Sequence, residues 1–157
     1  MEIDAGFDGG SILVAGDPDG ESPEVPLLLR PDSEADLRQW FCFRSSGDPG
    51  ELRAFRILNA GSAEYADGWE DYRVCASYDG EEWFRVATRF VNGALRFRHR
   101  SSRRALTFAA FAPYPLARLR RLAGRASRAE HARVEVIGET VEGRPLPVIT
   151  FGTVRVT

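Results

Sequence analysis

The sequence contains no lysine, only two cysteines and two histidines, and no long apolar run. Since the basic side chains are almost all arginine, the absence of lysine indicates a compositional bias of the source genome rather than a function. No segment approaches the roughly 18 consecutive apolar residues that a membrane-spanning helix needs. The acidic amino terminus lacks the basic and apolar regions of a signal peptide, so we expect a cytoplasmic protein with no membrane partner.

The few cysteines and histidines argue against a metal site. Cys42 and Cys75 fall in predicted strands among apolar neighbours, where reduced, buried thiols are expected in a cytoplasmic protein. His99 lies in a predicted strand and His131 follows a predicted helix, far away in the sequence. A catalytic zinc needs three protein ligands and an open position. We therefore expect neither metal ligands nor catalytic residues in this chain.

Short strands separated by turns dominate residues 1–112. Apolar and polar residues alternate in brief segments bounded by Gly, Pro, Asn and Asp, which is typical of strands and their turns. The clearest case is residues 72–86, where two strands flank a turn at Asp79 and Gly80, and we expect this hairpin to be central. About eight or nine strands at roughly ten-residue intervals predict a mainly β fold, an antiparallel, jelly-roll-like β-sandwich.

The pattern changes after residue 112. Residues 115–129 place leucines at helical spacing with arginines on the remaining faces. Strands are predicted at residues 133–138 and 146–151, separated by a turn. This order is typical of the start of an α/β unit, so we expect a first domain over residues 1–112 and a second over residues 113–157.

Charge is distributed unevenly along the chain. Residues 1–90 contain 8 Arg against 19 Asp and Glu, and residues 91–133 contain 11 Arg against one acid. Clustered arginines are typical of nucleic-acid surfaces, but also of solvated faces, interdomain contacts and surfaces that attract acidic partners. We favour the structural or interdomain role and rank nucleic acid last. The candidate acidic-partner surface comprises Arg96, Arg98, Arg100, Arg118 and Arg121.

The tryptophans raise the alternative of a sugar-stacking platform. Trp40 and Trp83 fall in predicted strands and are expected in the core. Trp69 falls in a predicted loop, which makes it the candidate ligand aromatic. If it binds, the chain would be a free-standing β-sandwich module for carbohydrate or an acidic protein, and Trp69→Ala would abolish binding.

Five short segments occur in a characteristic order over nearly the whole chain. They are Phe-Asp-Gly-Gly at residues 7–10, Trp-Phe-Cys-Phe-Arg at 40–44, Tyr-Asp-Gly with Trp-Phe-Arg-Val at 78–86, Phe-Ala-Ala-Phe-Ala-Pro-Tyr at 108–114 and Gly-Glu-Thr-Val-Glu-Gly-Arg-Pro-Leu at 138–146. The first three resemble the amino-terminal domain of the cytosolic-carboxypeptidase branch of the zinc metallocarboxypeptidases. The fourth resembles the junction into the catalytic domain, and the fifth resembles the beginning of that domain.

The resemblance implies a β-sandwich followed by an α/β catalytic domain that binds zinc through a His-x-x-Glu pair and a later His. No His-x-x-Glu occurs in this sequence, so none of the family's catalytic residues can be placed on it. The chain would then be the non-catalytic amino-terminal part of an enzyme that hydrolyses C-terminal residues of peptides or proteins. Its role would be folding, interdomain packing or substrate steering, with Phe111, Pro113 and Tyr114 as candidate interdomain contacts.

The resemblance also implies the partners of this chain. The catalytic domain would be the main partner, and zinc would belong to the parent enzyme rather than to this chain. The helix and strands of residues 113–157 would lack the sheet that they normally pack against. We therefore expect exposed apolar surface there and self-association through this tail.

Overall fold

The computed structural model describes residues 1–16 and 22–152, and it divides into two compact units at Pro113 and Tyr114. The described part of the first unit forms ten strands in two five-stranded sheets, in the orders β1-β4-β10-β6-β7 and β2-β3-β5-β9-β8. These strands are β1 (Glu2–Asp4), β2 (Leu13–Val14), β3 (Val25–Leu28), β4 (Cys42–Ser46), β5 (Leu52–Ile57), β6 (Cys75–Ser77), β7 (Phe84–Arg85), β8 (Ala87–Val91), β9 (Ala94–Arg100) and β10 (Ala105–Ala109).

The mainly β prediction is confirmed, with differences in strand number and direction. The prediction missed β8, because the chain passes from one sheet to the other at Val86 without a glycine or proline to mark the change. The β3–β5 pair is parallel rather than antiparallel, since the intervening β4 belongs to the other sheet. The hairpin of residues 72–86 forms as β6 and β7, but it lies at the edge of its sheet rather than at the centre.

The inner faces of the two sheets meet in a cluster of buried phenylalanine rings. The ring of Phe43 on β4 lies 5.1 Å from that of Phe55 on β5, and Phe55 lies 5.1 Å from Phe108 on β10. Phe97 on β9 contacts all three. Because β4 and β10 belong to one sheet and β5 and β9 to the other, these rings hold the sandwich together.

The turn between β8 and β9 also anchors the long loop that precedes β6. Asn92 and Gly93 both have positive φ angles, 51° and 74°, as a two-residue hairpin turn requires. The backbone carbonyl of Gly93 accepts a hydrogen bond from the Gly61 amide at 2.7 Å. A Cβ atom on Gly61 would lie 2.8 Å from the Cα of Gly93, so the two backbones approach this closely because residue 61 is glycine.

The second unit contains the predicted helix and both predicted strands. The helix α1 spans Leu116–Ala126, and it is followed by the antiparallel pair β11 (Ala132–Glu139) and β12 (Pro145–Phe151). The last five residues of the predicted second domain, 153–157, lie outside the described residues. In the described ranges, no helix is both long enough and apolar enough to span a membrane.

Candidate functional site

The arginines of β9 form a basic stripe on the outer face of their sheet. Arg96, Arg98 and Arg100 are exposed, whereas Leu95 and Phe97, which alternate with them, are buried in the sandwich. This alternation is the pattern of a strand with one face in the core and the other in solvent. Three of the five residues predicted to form an acidic-partner surface therefore share one face.

The other two predicted residues of that surface belong to the second unit. Arg118 and Arg121 lie on α1 and are exposed. The guanidinium of Arg118 lies over the ring of Tyr114 at 5.1 Å, a cation–π contact within the same unit. These two residues therefore belong to a different unit from the stripe on β9.

Strand pairing adds two arginines that the sequence pattern did not indicate. Arg96 lies directly opposite Arg56 on β5 and directly opposite Arg89 on β8. The three side chains form a row across neighbouring strands, which lie about 4.8 Å apart in a sheet. Like charges in directly opposite positions destabilise a sheet. The row depends on strand register, so no local pattern in the sequence could have revealed it.

A groove lies beside this row, where the chain passes from β7 in one sheet to β8 in the other. Its volume is about 560 Å³. Glu24, the acid in its lining, contacts Arg96 at 3.6 Å. Arg85 donates a hydrogen bond to the carbonyl of Arg73 at 2.6 Å. The arginines that line the groove are Arg73, Arg85, Arg89, Arg96 and Arg98.

A sixth arginine, Arg53, is fully buried at one end of the sandwich. Its guanidinium donates to the carbonyl oxygens of Ser45 at 2.6 Å and of Arg104 at 2.7 Å. It also donates to the carbonyls of Arg103 at 3.1 Å and Gly47 at 3.3 Å. Burial lowers the pKa of Arg53, although nearby anionic groups act in the opposite direction. The side chain joins β5 to β4 and to the turn before β10.

Tyr78 and His99 form a polar pair close to Arg53. The hydroxyl of Tyr78 lies 3.0 Å from Nε2 of His99 and accepts a hydrogen bond from the Ser102 amide at 3.1 Å. Burial alone would raise the pKa of Tyr78, but the hydrogen bonds from the serines and the charge of Arg53 lower it. Burial first, and then the charge of Arg53, lower the pKa of His99.

The lowered pKa of His99 predicts a loss of stability in mild acid. In the unfolded chain His99 takes up a proton near its ordinary pKa of about 6.5, whereas the folded protein resists protonation until lower pH. The free energy of unfolding should therefore fall as the pH drops below about 6.5 and level off below the folded pKa. In His99→Gln this part of the pH dependence should be absent.

Urea denaturation followed by tryptophan fluorescence at a series of pH values measures this effect. His131→Gln makes the same chemical change at an exposed position of the second unit and is the control. Equal pH slopes for His99→Gln and the unsubstituted protein would show that His99 titrates alike in the folded and unfolded chains.

The two histidines lie in different units of the structure. His99 is engaged by Tyr78, and its ring lies 5.1 Å from that of Phe84. His131 lies in the other unit. Within residues 1–16 and 22–152, no group of three His, Cys, Asp or Glu side chains is arranged to hold a metal ion.

The interpretation of Trp69 as an exposed ligand aromatic is wrong. Its side chain is only 3% exposed. The indole Nε1 donates to the carbonyl of Ala60 at 3.0 Å, and the ring packs against Tyr72 at 4.9 Å. The predicted loop folds into two short 3₁₀ turns, Ala60–Ser62 and Ala66–Trp69, which carry the tryptophan into the core. A stacking platform at Trp69 is therefore excluded in this conformation.

Phe111, just after β10, forms an aromatic pair with the half-buried Trp40, which precedes β4. Phe111 is 61% exposed, and its ring lies 4.7 Å from that of Trp40. The indole Nε1 of Trp40 donates to the carbonyl of Gly9 at 2.7 Å, which fixes the orientation of the pair. Pro113 is half-buried at the end of the first unit, and Tyr114, 54% exposed, begins the second. The predicted interdomain residues thus include two exposed aromatic rings.

Comparison with solved structures gives several close matches. A putative carboxypeptidase A from Shewanella denitrificans OS-217 matches 99% of this chain with a TM-score of 0.90 and 35% identity. A metallo-carboxypeptidase from Burkholderia cenocepacia matches 97% of it with a TM-score of 0.89 and 35% identity. One from Pseudomonas aeruginosa, in complex with (2-guanidinoethylmercapto)succinic acid, matches 95% with a TM-score of 0.86 and 36% identity.

These relatives are much longer than the chain. This chain spans 41% of the Shewanella structure, 39% of the Burkholderia structure and 40% of the Pseudomonas structure. An uncharacterized protein of Zymomonas mobilis is 30% identical over 155 residues, which is 99% of this chain and 40% of that protein. The family model described as "Cytosolic carboxypeptidase N-terminal domain" matches residues 3–111. The chain therefore belongs to the family of cytosolic carboxypeptidase N-terminal domains.

Proposed function

We propose that this chain is the non-catalytic amino-terminal part of a cytoplasmic zinc carboxypeptidase, and that its role is to pack against and support the catalytic domain. The observation that carries the proposal is the match itself. Nearly all of this chain corresponds to about two fifths of each metallo-carboxypeptidase structure. Zinc and the hydrolysis of C-terminal residues from peptides or proteins would belong to the remaining part of the parent enzyme.

The contact between the exposed ring of Phe111 and the half-buried ring of Trp40 supports a packing role. Exposed aromatic rings with a fixed orientation are typical of contact surfaces, because they bury a large apolar area at a low cost in conformational entropy. The hydrogen bond from Trp40 to Gly9 supplies that orientation. We infer that Phe111, Pro113 and Tyr114 contact the catalytic domain.

The second unit supports the same role. Its two strands and the turn between them expose five large apolar side chains, and a two-stranded sheet is marginal in water without a covering layer. The rest of the catalytic domain would supply that layer, and in its absence these residues would favour self-association. The exposed side chains are Val136, Ile137, Val141, Leu146 and Phe151.

Activity and zinc content test the proposal directly. After incubation with zinc and desalting, the purified chain should hold no stoichiometric zinc and should not hydrolyse a peptide. One zinc per chain together with peptide hydrolysis would overturn the proposal.

The packing role is tested by Phe111→Ala in a protein that joins this chain to its catalytic part. The temperature at which that protein loses activity should fall by several degrees, because the substitution removes an apolar interdomain contact. In the isolated chain the same substitution removes only the ring contact with Trp40, so the temperature of unfolding should fall less. Tyr65→Ala, at a 70% exposed position of the first unit, is the control and should change neither protein. A normal inactivation temperature for Phe111→Ala would exclude a packing role for that residue.

A further inference from the structure

The arginine-lined groove between β7 and β8 has an excess of positive charge that the packing role does not explain. Five arginines line it, and Glu24 is the acid that faces them. Among the described residues, the side chains of Arg89 and Arg98 make no ion pair, and the contact of Glu24 with Arg96 is a loose one at 3.6 Å. Within the described residues, Glu24 is the one acid that lines the groove, so the repulsion among its arginines is largely uncompensated there.

The row of Arg56, Arg96 and Arg89 concentrates this charge further. Directly opposite like charges lower the stability of a sheet, and this row places three in succession. The Nε of Arg56 is buried with no hydrogen-bond partner, so the row is poorly satisfied by the protein itself. Arg56 does not line the groove, so an anion bound there would contact Arg96 and Arg89, reduce the repulsion between them and supply acceptors for their guanidinium groups.

The size and lining of the groove restrict the ligand. A volume of about 560 Å³ is within the range of small-molecule sites, about 300–1,000 Å³. The aromatic ring in its lining, Phe97, is only 3% exposed, so bases have no surface to stack on as they do in single-stranded nucleic-acid sites. Its remaining non-arginine lining is Val86, Ala87 and Thr88.

The density of positive charge favours phosphate over carboxylate. A phosphate group carries close to two negative charges and three acceptor oxygens, whereas a carboxylate carries one charge and two oxygens. Guanidinium forks bind phosphate oxygens in bidentate fashion. Several arginines converging on a small volume therefore match a compact polyphosphate better than an acidic peptide, whose charges are spread along an extended backbone.

The geometry points to a binding site for a small anion with two or more linked phosphate groups in the groove lined by Arg85, Arg89, Arg96 and Arg98. Arg89 and Arg98, which make no ion pair with the part of the chain that the structure describes, supply guanidinium groups, and Arg96 exchanges its contact with Glu24 for the ligand. Arg85 is held by its hydrogen bond to Arg73 and contributes a fixed charge at the rim. The site would exist whether or not the chain takes part in catalysis.

Isothermal titration of the 157-residue chain with inorganic tripolyphosphate tests the site. One ion should bind per chain, and binding should weaken as salt is added. The double variant Arg89→Gln/Arg98→Gln should weaken binding by roughly tenfold or more, since charge-assisted hydrogen bonds are lost. The control is Arg120→Gln/Arg125→Gln, which removes the same charge from exposed positions of α1 and should bind normally. Equal weakening in both double variants would show that the loss of net charge alone weakens binding, and it would overturn the proposal.

Glu24→Gln is expected to tighten binding. Because misfolding would weaken binding, it cannot produce this result. Removing the carboxylate that competes for Arg96 should tighten tripolyphosphate binding by roughly threefold or more. Unchanged or weaker binding would contradict the assignment of Arg96 to the site.

Two comparison ligands, citrate and a short polyglutamate peptide, separate phosphate from carboxylate recognition. Preference for either carboxylate ligand over tripolyphosphate, or no binding of tripolyphosphate by the folded chain, would overturn the proposal.

Discussion

Arg53→Met is expected to destabilise the first unit by roughly 3–5 kcal/mol, because four backbone carbonyls lose hydrogen bonds to a charged donor and the removal of a buried charge offsets only part of that loss. The methionine would fill much of the same space but donate no hydrogen bonds. The carbonyls of Ser45, Gly47, Arg103 and Arg104 would lose their donor. Each buried acceptor left unsatisfied costs about 1–3 kcal/mol, so the combined loss exceeds that of an ordinary substitution.

Two companion variants separate charge from hydrogen-bond geometry. Arg53→Lys keeps the charge but cannot reproduce the planar fork, so we expect an intermediate loss of about 1–3 kcal/mol. Arg98→Met makes the same chemical change at an exposed position, where the effect should be within about 0.5 kcal/mol. Urea denaturation followed by the fluorescence of the tryptophans, all of which lie in the first unit, measures each value. A loss below about 1 kcal/mol for Arg53→Met would mean that water satisfies these carbonyls.

Phe55→Ala should destabilise the sandwich by about 3–5 kcal/mol, as expected for the truncation of a buried phenylalanine. Phe55 is fully buried, and its ring contacts Phe43, Phe97 and Phe108 at distances of 5.1 to 5.4 Å. The substitution removes ring contacts between the two sheets and leaves a cavity that the surrounding strands cannot collapse to fill.

The matched control for Phe55→Ala is Phe111→Ala in the same isolated chain. Phe111 is 61% exposed, and its substitution should cost at most about 1.5 kcal/mol, mainly through the ring contact with Trp40. The same urea titration compares the two variants. Similar losses at both positions would indicate that the interior of the sandwich is loosely packed at Phe55.

The alternating strands were predictable because burial follows a period of two along the chain. On β9 the apolar Leu95 and Phe97 face the core and the intervening arginines face solvent, as the sequence pattern requires. The turn at Asn92 and Gly93 was predictable for a similarly local reason, since both residues tolerate positive φ.

Other features depended on contacts between residues that are distant in sequence. The alternation on β5 puts Arg53 on the same face as Phe55, but it does not show which carbonyls the guanidinium meets. These carbonyls lie up to 51 positions away. Trp69 was misassigned because its loop contains no strand or helix period, whereas its burial depends on the fold of the surrounding strands.

By itself the sequence determined the mainly β class of this protein, its helix–strand–strand tail and its family resemblance, because each depends on local patterns or on motifs in order. The tertiary structure decided the buried network of Arg53, the arginine row and the groove beside it. Each of these requires strand register and the pairing of two sheets, and both are set by packing across the core rather than by neighbours along the chain.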